Sequence, residues 1–321
     1  MSREPASAGS AKPSPPVDPA DAVRARGMAP GGLRREACPL CGSTDLRPIL
    51  DLRGRTLLRC AGCGVKCTDE YGEGAPVAAY YDAVPAHAGK VDDLGGEAAL
   101  TAIARSQADA MEAMCGPRRH GTYLEVGCSR GHLLAEMELR GWEVTGIEVA
   151  QSSAEEAQAR LKAGGVLVAT PEDSGLRPAS FDRVAMFDVL AHLPHPVETL
   201  EALGELLKPG GTLVLSTVDE DWPLVPLFLE LFRQLPEETA GLRDEMYEGQ
   251  HYCYFGRSTI GRLLADAGLE LVDVRPLEPL SARYFVHQYG WRRRLALAGM
   301  RRLDKLMRSS RKMLVQARRP R

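Results

Sequence analysis

The stretch Tyr123-Leu124-Glu125-Val126-Gly127-Cys128-Ser129-Arg130-Gly131-His132-Leu133-Leu134 decides the fold. An apolar run ends in an acid, a glycine-interrupted turn follows, and an amphipathic helix begins. The run predicts a buried parallel strand, and the turn predicts a place where a ligand approaches the backbone. Gly127 suits a tight turn that a Cβ would hinder, and Gly131 lets the next helix start close to the strand. The free N–H groups at that helix start suit a carboxylate or phosphate. An ordinary strand-to-helix turn has the same outline, so the neighbouring sequence must decide. Glu148 closes a second apolar strand, Val144–Val149, about twenty residues on. An α/β nucleoside site places there the acid that takes both ribose hydroxyls.

Outward from this stretch the chain alternates. A strand at 122–127 leads to a helix at 131–140; a strand at 143–149 leads to a helix at 152–163, with Ser152 or Ser153 as N-cap. Val166–Ala169 and Phe181–Val189 are the third and fourth strands. Pro196 opens a helix whose Val197, Leu200, Leu203 and Leu207 form a stripe, and Pro209-Gly210-Gly211 stops it. Thr212–Thr217 is a fifth strand. A helix at 258–267 starts at Ser258 and stops at Gly268, and Leu269–Val274 and Met313–Ala317 are the sixth and seventh strands. This order predicts a seven-stranded, mostly parallel α/β sheet with helices on both faces.

Ahead of the sheet, Cys38-Pro39-Leu40-Cys41 and Cys60-Ala61-Gly62-Cys63 are two Cys-x2-Cys pairs eighteen residues apart. Four thiolates at this spacing suit a tetrahedral Zn²⁺. Sulfur at all four positions leaves no opening for substrate, so the ion is expected to be structural. Leu46–Leu50 and Thr56–Arg59 read as short strands of this ribbon, and Cys67 as a bystander. Between ribbon and sheet, a helical pattern runs from Glu97 to Met114, with Ala99, Ile103, Ala110 and Met114 on one face. It reads either as a packing helix or as a cap over a cofactor pocket.

The 321-residue chain is long enough for one full α/β domain and a small appendage. Residues 1–35 are rich in Pro, Ala, Ser, Gly and Arg, and are expected to be disordered. Residues 291–321 hold twelve Lys or Arg and one Asp, while the rest holds 28 basic and 42 acidic residues, a net charge of −14. No apolar run is long enough to span a bilayer, and the N-terminus lacks the apolar core of a signal peptide. Eight cysteines without a secretory signal fit metal binding or free thiols. A cytoplasmic location is the expectation.

From Thr122 to Arg318 the pattern resembles the class I S-adenosylmethionine-dependent methyltransferases, which are Rossmann-like. Leu124–Gly131, Gly146-Ile147-Glu148, Phe181-Asp182, Phe187–Leu193 and Leu207–Leu213 carry the likeness, and Tyr252–Phe255 with the following helix is similar to the family's late region. The cysteine pairs and Tyr80-Tyr81-Asp82 resemble a subgroup with a zinc ribbon before the transferase domain, several members of which methylate sugars or natural-product intermediates. The resemblance implies S-adenosylmethionine as cofactor. It places Glu125 and Gly127, with Cys128, Ser129 and Gly131 of the same turn, at its methionine end. Glu148, followed by Val149, would take the ribose hydroxyls, and Glu172 or Asp173 would lie near the adenine amino group. Phe187 and Asp188 would border the transferred methyl. Three positions depart from the pattern. Ser129 replaces a common second glycine. Thr170-Pro171 stands where an acid often contacts adenine. Ala191 replaces the glutamate common before His192, which speaks against a second, catalytic metal.

A sulfonium is already activated, so the enzyme need only align the nucleophile and exclude water. An oxygen nucleophile usually needs a base, and His192 or His251 could serve near neutral pH; a hydrogen-bonded structural role is the alternative for each. Residues 218–256 form a long apolar insertion, read as a packing segment or a lid over the acceptor. Residues 291–309 read as a basic amphipathic helix, with Ala296, Met300, Leu303 and Met307 on one side and Arg294, Arg301, Lys305 and Arg308 on the other. It either packs on the body or docks on an anionic membrane or polyanion.

The expected division is a tail (1–35), a zinc ribbon (36–68), a linker with the capping helix (69–116) and a methyltransferase domain (117–321). The expected function is methyl transfer to a small-molecule O, C or N, on a sugar or secondary-metabolite intermediate. An RNA methyltransferase using the ribbon and basic segment is the second reading, and a non-catalytic zinc-ribbon interaction protein the third.

Overall fold

The computed structural model describes residues 32–52, 54–73, 75–83, 96–116, 120–234, 243, 246–247, 250–277, 298–299 and 302–321. The tail up to residue 31 and much of the basic 291–309 segment, including Arg294, Ala296, Met300 and Arg301, lie outside them.

The ribbon strands are β1 (Leu33–Arg34), β2 (Leu46–Leu52), β3 (Arg55–Cys60), β4 (Lys66–Thr68) and β5 (Glu70–Tyr71). Two helices follow, α1 (Ala75–Ala83) and α2 (Gly96–Cys115). Then come β6 (Thr122–Val126), α3 (His132–Leu139), β7 (Glu143–Glu148), α4 (Gln151–Arg160), β8 (Gly165–Val168) and β9 (Phe181–Phe187). The chain continues through α5 (Pro196–Leu206), β10 (Leu207–Val218), α6 (Val225–Gln234), β11 (Cys253–Tyr254), α7 (Arg257–Asp266), β12 (Glu270–Leu277) and β13 (Lys312–Arg318).

The large sheet has seven strands in the order β12-β13-β10-β9-β6-β7-β8. β13 runs antiparallel to both neighbours, and the other described pairings are parallel. The mostly parallel α/β sheet is therefore as the alternation predicts. The order reverses beside β6, so the carboxyl ends of β6 and β9 open onto a crevice, the usual ligand position in such sheets. One face buries Leu200, Leu203 and Leu206 of α5 and Ile260, Leu263 and Leu264 of α7; the other buries α2 and α3 against Tyr123, Trp142 and Val144.

Several local expectations shift. α2 buries Ala99, Ala104, Ala108, Met111 and Met114, so Ala99 and Met114 of the expected stripe are in the core, Ala110 packs against it half-buried, and Ile103 is only half-buried. α5 ends at Leu206, and Pro209-Gly210-Gly211 lies in the irregular start of β10, between the paired positions Leu207 and Thr212. Ala150 caps α4 without a side-chain bond, because Ser152 is engaged elsewhere: its amide and hydroxyl both donate to Asp82 Oδ1, at 3.0 and 3.1 Å. α7 begins at Arg257, capped by Gly256 and Thr259 rather than by Ser258. In the basic segment, Leu303 and Leu306 are exposed. No described helix is long and apolar enough to cross a membrane.

The ribbon does not stand apart from the sheet. Its four-stranded sheet has the order β11-β4-β3-β2, so the strand after the long insertion completes it. Cys67 faces Cys253 and Lys66 faces Tyr254 in that antiparallel pair. Cys38, Leu40, Cys60 and Val65 share a buried cluster with Leu124, Val184 and Leu215 of the large sheet.

Candidate active site

The glycine turn is shaped by close approach. Gly127 has φ 67°, and a Cβ there would lie 2.4 Å from Val189 Cγ2; Gly131 has φ 76°, and a Cβ would lie 2.8 Å from the backbone of Ala157. Both positions therefore require glycine. The amides of Gly127 and Cys128 donate to the carbonyl of Ile147, at 2.8 and 3.1 Å, which ties the turn to the end of β7. Ser129, at φ 48°, takes the left-handed conformation without being glycine.

Two acids meet at this turn. Glu148 Oε2 accepts from the Ser129 amide at 2.8 Å, and Oε1 accepts from the amides of Val149 and Ala150 at 2.9 and 3.1 Å. Burial raises its pKa, and the three amides work against that rise. Glu125 is buried with no hydrogen-bond partner for Oε2 among the described residues. Burial, and then the nearby Glu148, push its carboxyl well above the usual range. A buried, unpartnered carboxyl oxygen is costly unless a ligand satisfies it. Cys128 is buried behind the turn. Beside it, Glu97 at the start of α2 meets His132 Nε2 at 2.6 Å and Arg130 and Arg160 at 3.2 Å each. The remainder of α2 packs on α3.

Glu172 and Asp173 sit apart on an exposed turn after β8. Glu172 Oε1 accepts from the Thr199 hydroxyl at 2.5 Å, and Asp173 pairs with Thr170. Neither meets Glu125 or Glu148.

At the carboxyl end of β9, Phe187 is half-buried and Asp188 takes φ 57°. Local desolvation opposes the charge of Asp188, although its side chain is still 47% exposed, but Lys312, Ser216 and His192 outweigh it and lower its pKa. His192 follows in a short 3-10 turn. Its Nδ1 lies 3.1 Å from the Gln250 carbonyl and 3.2 Å from Tyr81 Oη. A carbonyl only accepts, so the Gln250 contact calls for a proton on Nδ1, which makes Nε2 the basic nitrogen of that tautomer, whereas a Tyr81 hydroxyl donating to Nδ1 calls for the other. His251 packs edge-on against His192 with ring centroids 4.6 Å apart. Burial, then His192, Lys312, Arg55 and Arg311, push the His251 pKa well below its ordinary value, so its ring is neutral at pH 7. The fold thus brings together two histidines 59 positions apart in the chain.

Four other residues complete this corner. Tyr80 accepts from Gln250 Nε2 at 2.7 Å, and Tyr81 reaches His192. So the last turn of α1, within the linker, joins this corner through Tyr80 and Tyr81 and the start of α4 through the adjacent Asp82. Arg55 of β3 donates to the carbonyls of His251 and Tyr247 at 3.0 and 2.9 Å. The Tyr80-Tyr81-Asp82 run was a legible signal; nothing in the sequence marks Gln250, Arg55 or Lys312.

The four ribbon cysteines converge, with all Sγ atoms within 4.8 Å of one another. Cys38 and Cys63, and Cys41 and Cys60, lie 3.5 Å apart. The Leu40 amide donates to Cys38 Sγ at 3.4 Å. Although burial resists it, the amides of Cys63 and Gly62 and the neighbouring thiols bring Cys60 down to about 7. These distances fit a tetrahedral four-sulfur ion, with Zn–S bonds of about 2.3 Å. Among the described residues no other group of His, Cys, Asp or Glu is arranged for a metal.

A family model described as a methyltransferase domain matches residues 101–274. The ubiquinone biosynthesis O-methyltransferase of Pseudomonas paraeruginosa is 32% identical over 175 residues, covering 51% of this chain and 71% of that protein. The Chromobacterium violaceum enzyme of the same name is 37% identical over 157 residues, 46% of this chain and 64% of that protein. The matched region spans a little under two-thirds of the Azoarcus relative, at 65%. In structure, the [4+2]-cyclase SpnF superposes with TM-score 0.53 at 18% identity, covering 78% of this chain and 98% of that one. A Haemonchus contortus phosphoethanolamine N-methyltransferase, in complex with phosphomonomethylethanolamine and S-adenosylhomocysteine, also gives 0.53, at 15% identity over 80% of this chain and 63% of that one. These two likenesses concern the fold. The family model spans more than half of the chain and lands on the glycine turn, both acids and both histidines, and so the chain belongs to the class I S-adenosylmethionine-dependent methyltransferases, with a four-cysteine ribbon in front.

Proposed function

We propose that the protein moves the methyl group of S-adenosylmethionine to a hydroxyl of a small molecule. The observation that carries this reading is the buried His251 in ring contact with His192, which itself acts on Asp188 at the crevice. S-adenosylmethionine supplies an activated methyl. Glu125, Gly127, Cys128, Ser129 and Gly131 hold its methionine end, where the unpartnered Glu125 oxygen suits an ammonium. Glu148 and Val149 hold the ribose, Glu172 or Asp173 approach the adenine from the turn after β8, and Phe187 and Asp188 border the methyl. His192 Nε2 or His251 receives the hydroxyl proton. α1 and the 218–256 insertion exclude water, which an aligned nucleophile requires.

The relatives named as O-methyltransferases support oxygen as the receiving atom. A phenol fits the positive surroundings of His251, because nearby cations favour the phenolate. Sugars and secondary-metabolite intermediates are the other hydroxyl acceptors of this reading. The Cys38, Cys41, Cys60 and Cys63 thiolates hold zinc.

The experiment has two stages. Calorimetry with S-adenosylhomocysteine is expected to show one site per chain. Labelled S-adenosylmethionine is then presented with catechols, hydroxybenzoates, deoxysugar nucleotides and structured RNA. Label in an oxygen-linked methyl of a small acceptor is the expected outcome. Label in RNA alone, or a protein that binds cofactor and labels nothing, would overturn the reading. Transfer must be observed directly, since a fold neighbour carries the name of a cyclase.

A further inference from the structure

Lys312 stands outside every motif in the sequence. It opens β13 opposite Val218 of β10. Its backbone is fixed there. The Lys312 amide donates to Ser310 Oγ at 3.3 Å, and Ser310 Oγ donates to the Leu277 carbonyl at 2.8 Å. The preceding Arg311 pairs with Glu220 at 2.6 Å and donates to the Asp219 carbonyl at 2.9 Å. From this anchored start the side chain crosses the end of β10 and places Nζ 2.5 Å from Asp188 Oδ2, beyond the end of β9. Adjacent strands lie about 4.8 Å apart and β10 intervenes, so only a long basic side chain makes this reach.

Asp188 is constrained from every side. Its left-handed backbone is costly for a residue with a Cβ. The amide donates to the Ser216 carbonyl and hydroxyl, both at 3.1 Å, and Ser216 Oγ donates to Asp188 Oδ1 at 3.1 Å. Oδ1 is thus held by Ser216 and Oδ2 by Lys312. The side chain is still 47% exposed, and that of Lys312 29% exposed. An ion pair this open contributes little to folding, so stability alone does not account for the strained backbone it holds.

We propose that Lys312 is a positioning residue of the acceptor site, whose ammonium locks the Asp188 carboxylate so that its remaining lone pairs accept a hydrogen bond from an acceptor hydroxyl. This rests on the reading of the site as one for a hydroxyl acceptor. His192 and Lys312 act on both Asp188 and His251, Ser216 on Asp188, and Arg55 and Arg311 on His251, with Tyr81 bonded to His192 and Glu220 paired with Arg311. Lys312 lowers the pKa of both Asp188 and His251. Its removal therefore moves both midpoints upward.

The test uses full-length protein with ¹³C-labelled aspartate, the Asp188 signal being identified by its loss in Asp188→Asn. Wild type, Lys312→Met and Lys312→Arg are titrated with S-adenosylhomocysteine bound. In Lys312→Met the Asp188 midpoint is expected to rise by about one pH unit, while in Lys312→Arg it stays with wild type. Calorimetry should give all three the same S-adenosylhomocysteine affinity within about twofold, because that ligand lacks the methyl that Asp188 borders. With 3,4-dihydroxybenzoate as acceptor, Lys312→Met should raise KM about tenfold, and Lys312→Arg should recover most of that loss. An Asp188 midpoint unmoved in Lys312→Met, or an acceptor KM unmoved beside a shifted midpoint, overturns the proposal. If Lys312→Met fails to fold, Asp188→Asn carries the same KM test, and an unchanged KM there overturns it. A wild type that methylates neither catechols nor sugars refutes the hydroxyl-acceptor reading; the midpoints then still decide whether Lys312 locks Asp188.

Discussion

At the scale of single residues, the glycine turn is built at a cost to stability. Glu125 is buried without a partner for one oxygen, and its carboxyl is pushed well above the usual range by burial and by Glu148. The folded chain therefore keeps a proton that the unfolded chain releases above about pH 4.3, and stability falls as pH rises through that region. Glu125→Gln should raise the urea midpoint at pH 7 and weaken S-adenosylmethionine binding, with the stability gain shrinking toward pH 4. A midpoint unchanged at pH 7 would show that the carboxyl is satisfied in solution. Glu148 differs, because three backbone amides already hold it. If Glu148 holds the ribose as proposed, Glu148→Ala should weaken cofactor binding by about 1–3 kcal/mol, measured by calorimetry, through the loss of charge-assisted bonds. These two acids were legible because each ends an apolar strand beside a glycine turn. Lys312 was not, because its partner lies 124 positions away and no local pattern records a contact made across two strands.

At the scale of elements, the junction between ribbon and sheet depends on one buried acid. Glu220, just after β10, pairs with Lys66 of β4 at 2.6 Å and with Arg311 ahead of β13 at 2.6 Å, and accepts from the Tyr247 hydroxyl at 3.3 Å. Burial resists its charge, but Arg311 and Lys66 outweigh it and lower its pKa. The stability it contributes is therefore present above the unfolded carboxylate pKa and lost as pH falls below it. Glu220→Ala leaves two buried cations without their partner and should cost about 3–5 kcal/mol in urea denaturation, whereas Glu220→Gln should cost less. A loss confined to a few tenths would mean that water enters the junction. Most elements of the sheet were readable from period and punctuation. The exceptions follow from tertiary contacts: Asp82 takes over the start of α4, α2 widens its buried stripe to Ala104, Ala108 and Met111 against α3, and β10 begins earlier because Leu207 pairs with Phe181.

At the scale of the molecule, the four-cysteine site and the corner of His192 and His251 are mechanically joined. β4 pairs with β11, Thr68 donates to the Tyr252 carbonyl at 3.0 Å, and Arg55 holds the carbonyl of His251. One zinc per chain is expected by elemental analysis, and Cys38→Ser or Cys60→Ser should lose metal and soluble yield together. Stripping the metal from wild type should shift the ring resonances of His251 and His192 while leaving S-adenosylhomocysteine affinity within about twofold, since the glycine turn lies on the other side of β9. Unmoved histidine signals in metal-free protein would uncouple the two sites. The order of synthesis gives the β4–β11 pairing a further consequence. The cysteines leave the ribosome well before Cys253 and Tyr254, about 185 positions later than β4. A nascent ribbon that has captured its ion still exposes the open edge of β4, a template for pairing with another chain until β11 arrives. Closure over so long a loop is slow. Chains stalled before residue 253 should therefore aggregate through the ribbon, and a peptide spanning 250–256 supplied in trans should hold them in solution.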